Sequence, residues 1–175
     1  MKSNENIDAL WSGLASRATK VALMRQDISY AQLAQALETM GIAESARSIE
    51  GKIQRGTFRF SFFLQAAVAA NTDIPLGWSD ALKISESWDG RAAAVFEAEL
   101  AQQPWITWSR LSVRLQEIGV VMGSGVLEPQ IRNGSFPASL FFQCATVCRF
   151  ESVYRFVDPS SLRHAALLGA EQAPL

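Results

Sequence analysis

The sequence has little with which to do covalent or metal chemistry. Its 175 residues include one histidine, His164, and two cysteines, Cys144 and Cys148. The cysteines stand four apart on an expected helix, where side chains share a face but the Cα geometry does not suit an unstrained disulfide. They read as two small buried thiols, because a metal site would need further ligands. No glycine-rich phosphate loop, metal-ligand spacing or nucleophile motif occurs. No catalytic residue, cofactor or metal is therefore expected, and an enzyme is the least favoured class. No apolar run approaches the roughly 20 residues of a membrane span, so no membrane role is expected. The polar start, Met1 to Asp8, carries no signal-peptide core, which points to the cytoplasm. Excess charge is lacking as well. A formal net charge of −1 and a pI of about 5.9 argue against a uniformly basic nucleic-acid coat, so any DNA contact must come from a local patch.

What the chain does have is a repeat. A shift of 78 positions, the separation of Ile28 from Ile106, lays Ile28–Asn71 on Ile106–Arg149 without a gap. Leu33/Leu111, Leu37/Leu115, Gly41/Gly119, Ile53/Ile131, Gly56/Gly134, Phe58/Phe136, Ser61/Ser139, Phe63/Phe141 and Gln65/Gln143 are identical pairs. Similarity that keeps glycines and apolar frame in step marks a duplicated unit. Each unit of roughly 70 to 80 residues lies near the lower size limit for a self-sufficient core, and the two are expected to share a core or an interface.

Apolar spacing of three and four predicts helices throughout. The first runs through Ile7, Leu10, Trp11, Leu14 and Ala18, with a cap expected at Ser3 or Asn4; its counterpart starts after Ser87. Ser29 and Thr107 cap the second helices, which Gly41 and Gly119 end. A third helix spans Ser45 to Arg55 with Ile49 and Ile53 inward and Gly56 as terminator. The fourth should start near Arg59, because its equivalent, Pro137, suits a first helical position. The joint Asn71–Ser87 is too apolar for a free linker, and Ile74, Leu76, Trp78, Leu82 and Ile84 should pack. A short last helix is expected over Leu162–Leu168, with Gly169–Leu175 loose. The fold class is thus all-α: two tandem helix-turn-helix-like units and a short C-terminal helix, divided as 1–75, 76–157 and 158–175.

A short helix, a glycine turn and a second helix ending in Arg-Gly has the layout of a helix-turn-helix, whose second helix can enter the major groove. With Ile49 and Ile53 inward, Ser45, Arg47, Ser48, Lys52 and Arg55 fall on or beside the exposed face. Arg47, Lys52, Arg55 and Arg59 also form the densest basic cluster in the chain. Arginine can read guanine bidentately, and lysine and serine more often hold phosphate. These six residues are the candidate DNA site. In the second unit Gly125, Val126, Gln130, Asn133 and Pro137 replace Arg47, Ser48, Lys52, Arg55 and Arg59, leaving Arg132 as the one basic residue of that helix.

Tyr30-Ala31-Gln32-Leu33-Ala34, Gly41-Ile42, Glu44-Ser45, Lys52-Ile53-Gln54-Arg55-Gly56-Thr57-Phe58 and Phe63-Leu64-Gln65 together resemble an uncharacterised bacterial domain family in which a helix-turn-helix is suspected. More distantly the stretch is similar to phage Cro/C1-type repressors. The resemblance covers most of each repeat and implies a bacterial or mobile-element transcriptional regulator that binds double-stranded DNA. The second unit keeps Ile131, Gly134, Phe136 and Gln143 but departs at the lysine and arginine. A homodimer is expected, because one reading helix covers only a few base pairs; its surfaces would be Val153–Val157, the last helix and the uncharged third helix of the second unit. The alternative is a protein-binding adaptor that docks on transcription machinery or another regulator without touching DNA.

Overall fold

The computed structural model describes residues 2–173, with side chains described from residue 6 onward. Among these residues the chain is all-helical: α1 (Lys2–Arg25), α2 (Tyr30–Thr39), α3 (Ala46–Arg55), α4 (Phe60–Ala69), α5 (Leu76–Ala81), α6 (Trp88–Ala101), α7 (Trp108–Glu117), α8 (Ser124–Arg132), α9 (Ala138–Cys148) and α10 (Pro159–Gln172). None of the described helices is long and apolar enough to cross a membrane. The first unit, α1 to α4, and the second, α6 to α9, repeat the same order.

Local chemistry sets most boundaries. The Ser29 hydroxyl accepts from the Gln32 amide while the Gln32 side chain accepts from the Ser29 amide, a reciprocal cap at the start of α2. Ser45, Ser87 and Thr107 cap α3, α6 and α7 in the simpler one-bond way. Pro129 sits inside α8, which still forms, because Leu127 and Ile131 are buried and hold it to the core. Gly56, at φ 68°, ends α3 where a Cβ would lie 1.8 Å from the Ser12 carbonyl oxygen of α1. Gly134, at φ 76°, stands in the same relation to the Asp89 carbonyl of α6, also at 1.8 Å. Both positions therefore need a residue without a side chain and with a left-handed backbone.

Several expectations from the sequence are corrected. Ser3 and Asn4 lie inside α1, which starts at Lys2, and do not cap it. Pro137 occupies the cap of α9 and not its first helical position, one residue earlier than expected, with extended backbone (ψ 155°). Its equivalent Arg59 caps α4 in the same conformation. The last helix is longer than Leu162–Leu168, since Asp158 accepts from the Ser161 amide and Pro159 opens the helix, which continues through Gln172. Most of the tail expected to be loose is thus helical; Pro174 and Leu175 lie outside the described residues. In the joint, Trp78 is buried, but Leu76, on the outward face of α5, is 88% exposed, and Ile84, in the turn that follows α5, is 75% exposed. Val153, Phe156 and Val157, expected on a self-association surface, are buried in the core.

The two units are interleaved. α1 packs most extensively on α9 of the second unit and also on α3 of its own, while α6 packs on α4 of the first unit. Where α4 and α9 begin, Arg59 and Pro137 face each other in an isolated antiparallel bridge. Phe60 N–H donates to the Phe136 carbonyl at 3.1 Å, and Ala138 N–H donates to the Phe58 carbonyl at 3.0 Å. Because 58 matches 136 and 60 matches 138 in the repeat, these bonds exchange under a local two-fold. Each satisfies an amide that the start of a helix would otherwise leave unpaired.

Aromatic rings fill the space between the units. Phe60 stacks on Phe141 at 3.9 Å between centroids and on Phe136 at 5.5 Å, and Trp78 stacks on Phe156 at 5.9 Å. Buried residues of both units form one continuous hydrophobic cluster. At its edge lies Glu99, 7% exposed, whose carboxylate accepts from Trp78 Nε1 at 2.6 Å and from the Ser152 hydroxyl. That carboxylate ties the segment after α4 to the segment after α9.

Candidate nucleic-acid interface

α3 presents the predicted basic residues, because Ile49 and Ile53 are wholly buried and turn the opposite side outward. Ser45, Arg47, Ser48 and Arg55 are exposed and Lys52 is half-buried. The Ser45 hydroxyl oxygen already accepts from the Ser48 amide at 3.1 Å, so its first role is structural. Arg47 and Arg55 lie about 12 Å apart along the helix at 1.5 Å per residue. Neither makes an ion pair among the described residues. Glu50, also exposed, interrupts the basic face; burial and then the Glu50 carboxylate raise the pKa of the Tyr30 phenol on α2.

Lys52 and Arg59 are not free charges. The Lys52 ammonium pairs with Glu44 and lies 5.1 Å from the centroid of the Phe62 ring. Glu44 is mostly buried, and its second oxygen, Oε2, finds no partner among the described residues. Arg59 pairs across the unit boundary with Asp89 at 3.0 Å, both side chains being solvent-accessible. Such an exposed pair contributes little and can exchange for a phosphate.

The structure nonetheless brings three of the four cations together. Lys52, Arg55 and Arg59 line a cleft of about 420 Å³ between α3 and α4, with Thr57, Ser61 and Gln65. Ser61 is 7% exposed and its hydroxyl makes no hydrogen bond among the described residues. Ser45, Arg47 and Ser48 stand apart at the other end of α3. Ser61, Gln65, Glu44 and Asp89 were not among the six residues expected at the site. The first two carried a signal: they are polar residues on the core-facing helix α4 and recur identically as Ser139 and Gln143.

The second unit lacks this electrostatic character. Arg132 on α8 pairs with Glu128 at 2.9 Å and lies over the Trp108 ring. Asn133, which replaces Arg55, uses its carbonyl oxygen to accept from the Ser135 amide at 2.9 Å. Around α7 and α8 the surface exposes Trp105, Val113, Val121 and Val126, the last three at 57%, 75% and 63%.

Two segments of the chain, residues 11–74 and 88–153, each match the family model described as Domain of unknown function (DUF6471). No curated protein and no solved structure matches the chain. The matched segments start at the equivalent residues Trp11 and Trp88 and leave out the first turns of α1 and all of α10.

Proposed function

We propose, from the premise that this chain belongs to the DUF6471 family through two tandem copies, that it is a DNA-binding transcriptional regulator of bacterial or mobile-element type that reads double-stranded DNA through α3. The observation that carries the reading is the exposure of Arg47 and Arg55 on a helix whose other face is fixed by the wholly buried Ile49 and Ile53. A ten-residue helix is about 15 Å long, a length that can lie in a major groove about 12 Å wide. In this reading α2 and α3 serve as the helix-turn-helix, similar to that of Cro/C1-type repressors. Arg47 and Arg55 reach base edges or phosphates. Ser48 stands beside Arg47, and Lys52 and Arg59 hold backbone phosphate at the α3–α4 cleft once Glu44 and Asp89 release them. The role is non-catalytic and cytoplasmic. A second chain supplies the second α3 of a homodimer.

The test is binding of the full chain to a pool of genomic duplexes across a salt series. Arg47→Ala and Arg55→Ala should each reduce the slope of log affinity against log salt by about 0.9, and Arg132→Ala should leave it unchanged. Absence of duplex binding even at low salt, or equal losses from Arg132→Ala and Arg55→Ala, would sink the reading. The exposed Val113, Val121 and Val126 favour a second reading, in which α7 and α8 dock on another regulator or on transcription machinery. Retention of a protein partner by a chain that binds no DNA would select it.

A further inference from the structure

The second unit has its own cleft, of about 420 Å³, between the start of α1, the Gly119–Met122 connection and α9. Its polar floor is Gln143, a core residue 6% exposed. The Gln143 carboxamide makes no hydrogen bond among the described residues, and Gln143 keeps a little exposure where it lines this cleft. Buried side-chain amides almost always have partners, so an amide held at the floor of a cleft without one is available to a ligand.

Comparison between the copies indicates what that ligand is. In the first unit the matching pair Ser61 and Gln65 is surrounded by Lys52, Arg55 and Arg59. In the second, Pro137 replaces Arg59, and no cation among the described residues lines the cleft. Among the described residues the one ionised group there is Asp8, from the nine residues of α1 that precede Trp11 and have no counterpart before Trp88. Asp8 is exposed at the rim and makes no ion pair among the described residues. The sign of the cleft is thus inverted, and its walls, Ile7, Val120, Met122 and Leu140, are apolar.

We propose that this cleft binds a small organic amine, with its ammonium on Asp8, its polar atoms on Gln143 and its hydrocarbon against Ile7, Val120 and Leu140. The inference does not rest on DNA binding, and its test uses no DNA. The full chain is titrated with 2-(4-hydroxyphenyl)ethylammonium, whose phenol supplies the polar atom for Gln143, while the Gln143 side-chain amide and the Val120–Met122 backbone amides are followed by NMR. The anion 3-(4-hydroxyphenyl)propionate and the neutral 2-(4-hydroxyphenyl)ethanol are titrated in parallel. The expected result is saturable shifts at Gln143 and Val120–Met122 with the amine alone, weakened about fivefold by Asp8→Asn. Asp80→Asn, at an exposed carboxylate outside this cleft, should leave the titration unchanged. Because Asp8 is exposed, Asp8→Asn should fold even where Gln143→Met does not. No shift at Gln143 into the millimolar range, equal binding of the anion or the alcohol, or amine binding indifferent to Asp8→Asn would each overturn the proposal.

Discussion

Phe60→Ala tests whether the two units stand or fall together. The ring is wholly buried and touches both units: Phe63 at 5.7 Å in its own, Phe141 at 3.9 Å and Phe136 at 5.5 Å in the other, and the edge of Trp78 at 5.9 Å in the joint. Removing such a ring costs about 3–5 kcal/mol, the upper half of that range being expected where several aromatic partners are lost together. Domains are stable by only about 5–15 kcal/mol, so a loss of about 4 kcal/mol removes about a quarter or more of the margin. At about 2–4 °C per kcal/mol for a chain of this size, a loss of about 4 kcal/mol lowers the Tm by about 8–16 °C. The assay is urea unfolding followed by tryptophan fluorescence and by far-UV circular dichroism. The buried Trp11 and Trp78 should dominate the fluorescence change on unfolding. Both probes should report one transition at lower urea with an unchanged slope. A biphasic curve, in which one transition moves and a second stays at its wild-type midpoint, would refute a shared interior.

Four further outcomes follow from particular contacts. Glu44→Gln releases Lys52 and should raise both DNA affinity and its salt slope, by up to about 0.9 for one added phosphate contact; unchanged binding by a folded variant would count against a phosphate role for Lys52. Gly134→Ala should cost about 2–4 kcal/mol through strain and collision with the Asp89 carbonyl, whereas Gly125→Ala, within α8 and with nothing nearby, should gain about 0.5–1 kcal/mol in the same denaturation assay. Hydrogen bonds from the Ser160 hydroxyl, then from the Ser161 hydroxyl and amide, hold the Asp158 carboxyl below its ordinary 3.8. Its contribution is therefore present above that value and lost as pH falls through the lower folded one, so the Tm gap between wild type and Asp158→Ala should be open at neutral pH and close in strong acid. Burial pushes the Cys148 thiol up to about 12, with Arg114 pulling the other way, and raises Cys144 well above its usual value. Both thiols should resist alkylation in the folded chain at neutral pH, and stability should fall as pH rises from the ordinary 9.0 toward 12.

Most of what depends on near neighbours in the chain is legible in the sequence. Ser29, Ser45, Ser87 and Thr107 announce helix starts through bonds to residues three positions on, and the 78-residue shift transfers the boundaries of the second to fourth helices between copies, the start of the fourth to within one residue. Partners distant in sequence are not. Nothing periodic in α1 distinguishes a face that meets α9 from one that meets α4, so the interleaving of the units was hidden. The apolar run at Val153–Val157 reads equally as surface or interior until Phe63 and Trp78 are found against Phe156. At the candidate interface the exposed positions of α3 followed from Ile49 and Ile53 alone. That Glu44 neutralises Lys52, and Asp89 neutralises Arg59, follows from approaches across turns and between units that no helical spacing encodes.

The seating of α1 on α9 sets an order of events during synthesis. Cys148 at the end of α9 emerges from the ribosome 123 residues after Arg25. At about 5–20 residues per second the delay is about 6–25 s. Before it ends α1 can find α3 and α4 but not the helix on which it packs most extensively. The first unit therefore emerges with an uncovered apolar flank that only the completed chain can close, and a nascent-chain binder that holds such flanks has seconds in which to act. A ribosome stalled between the copies would display this flank indefinitely, and release of the finished chain would remove it.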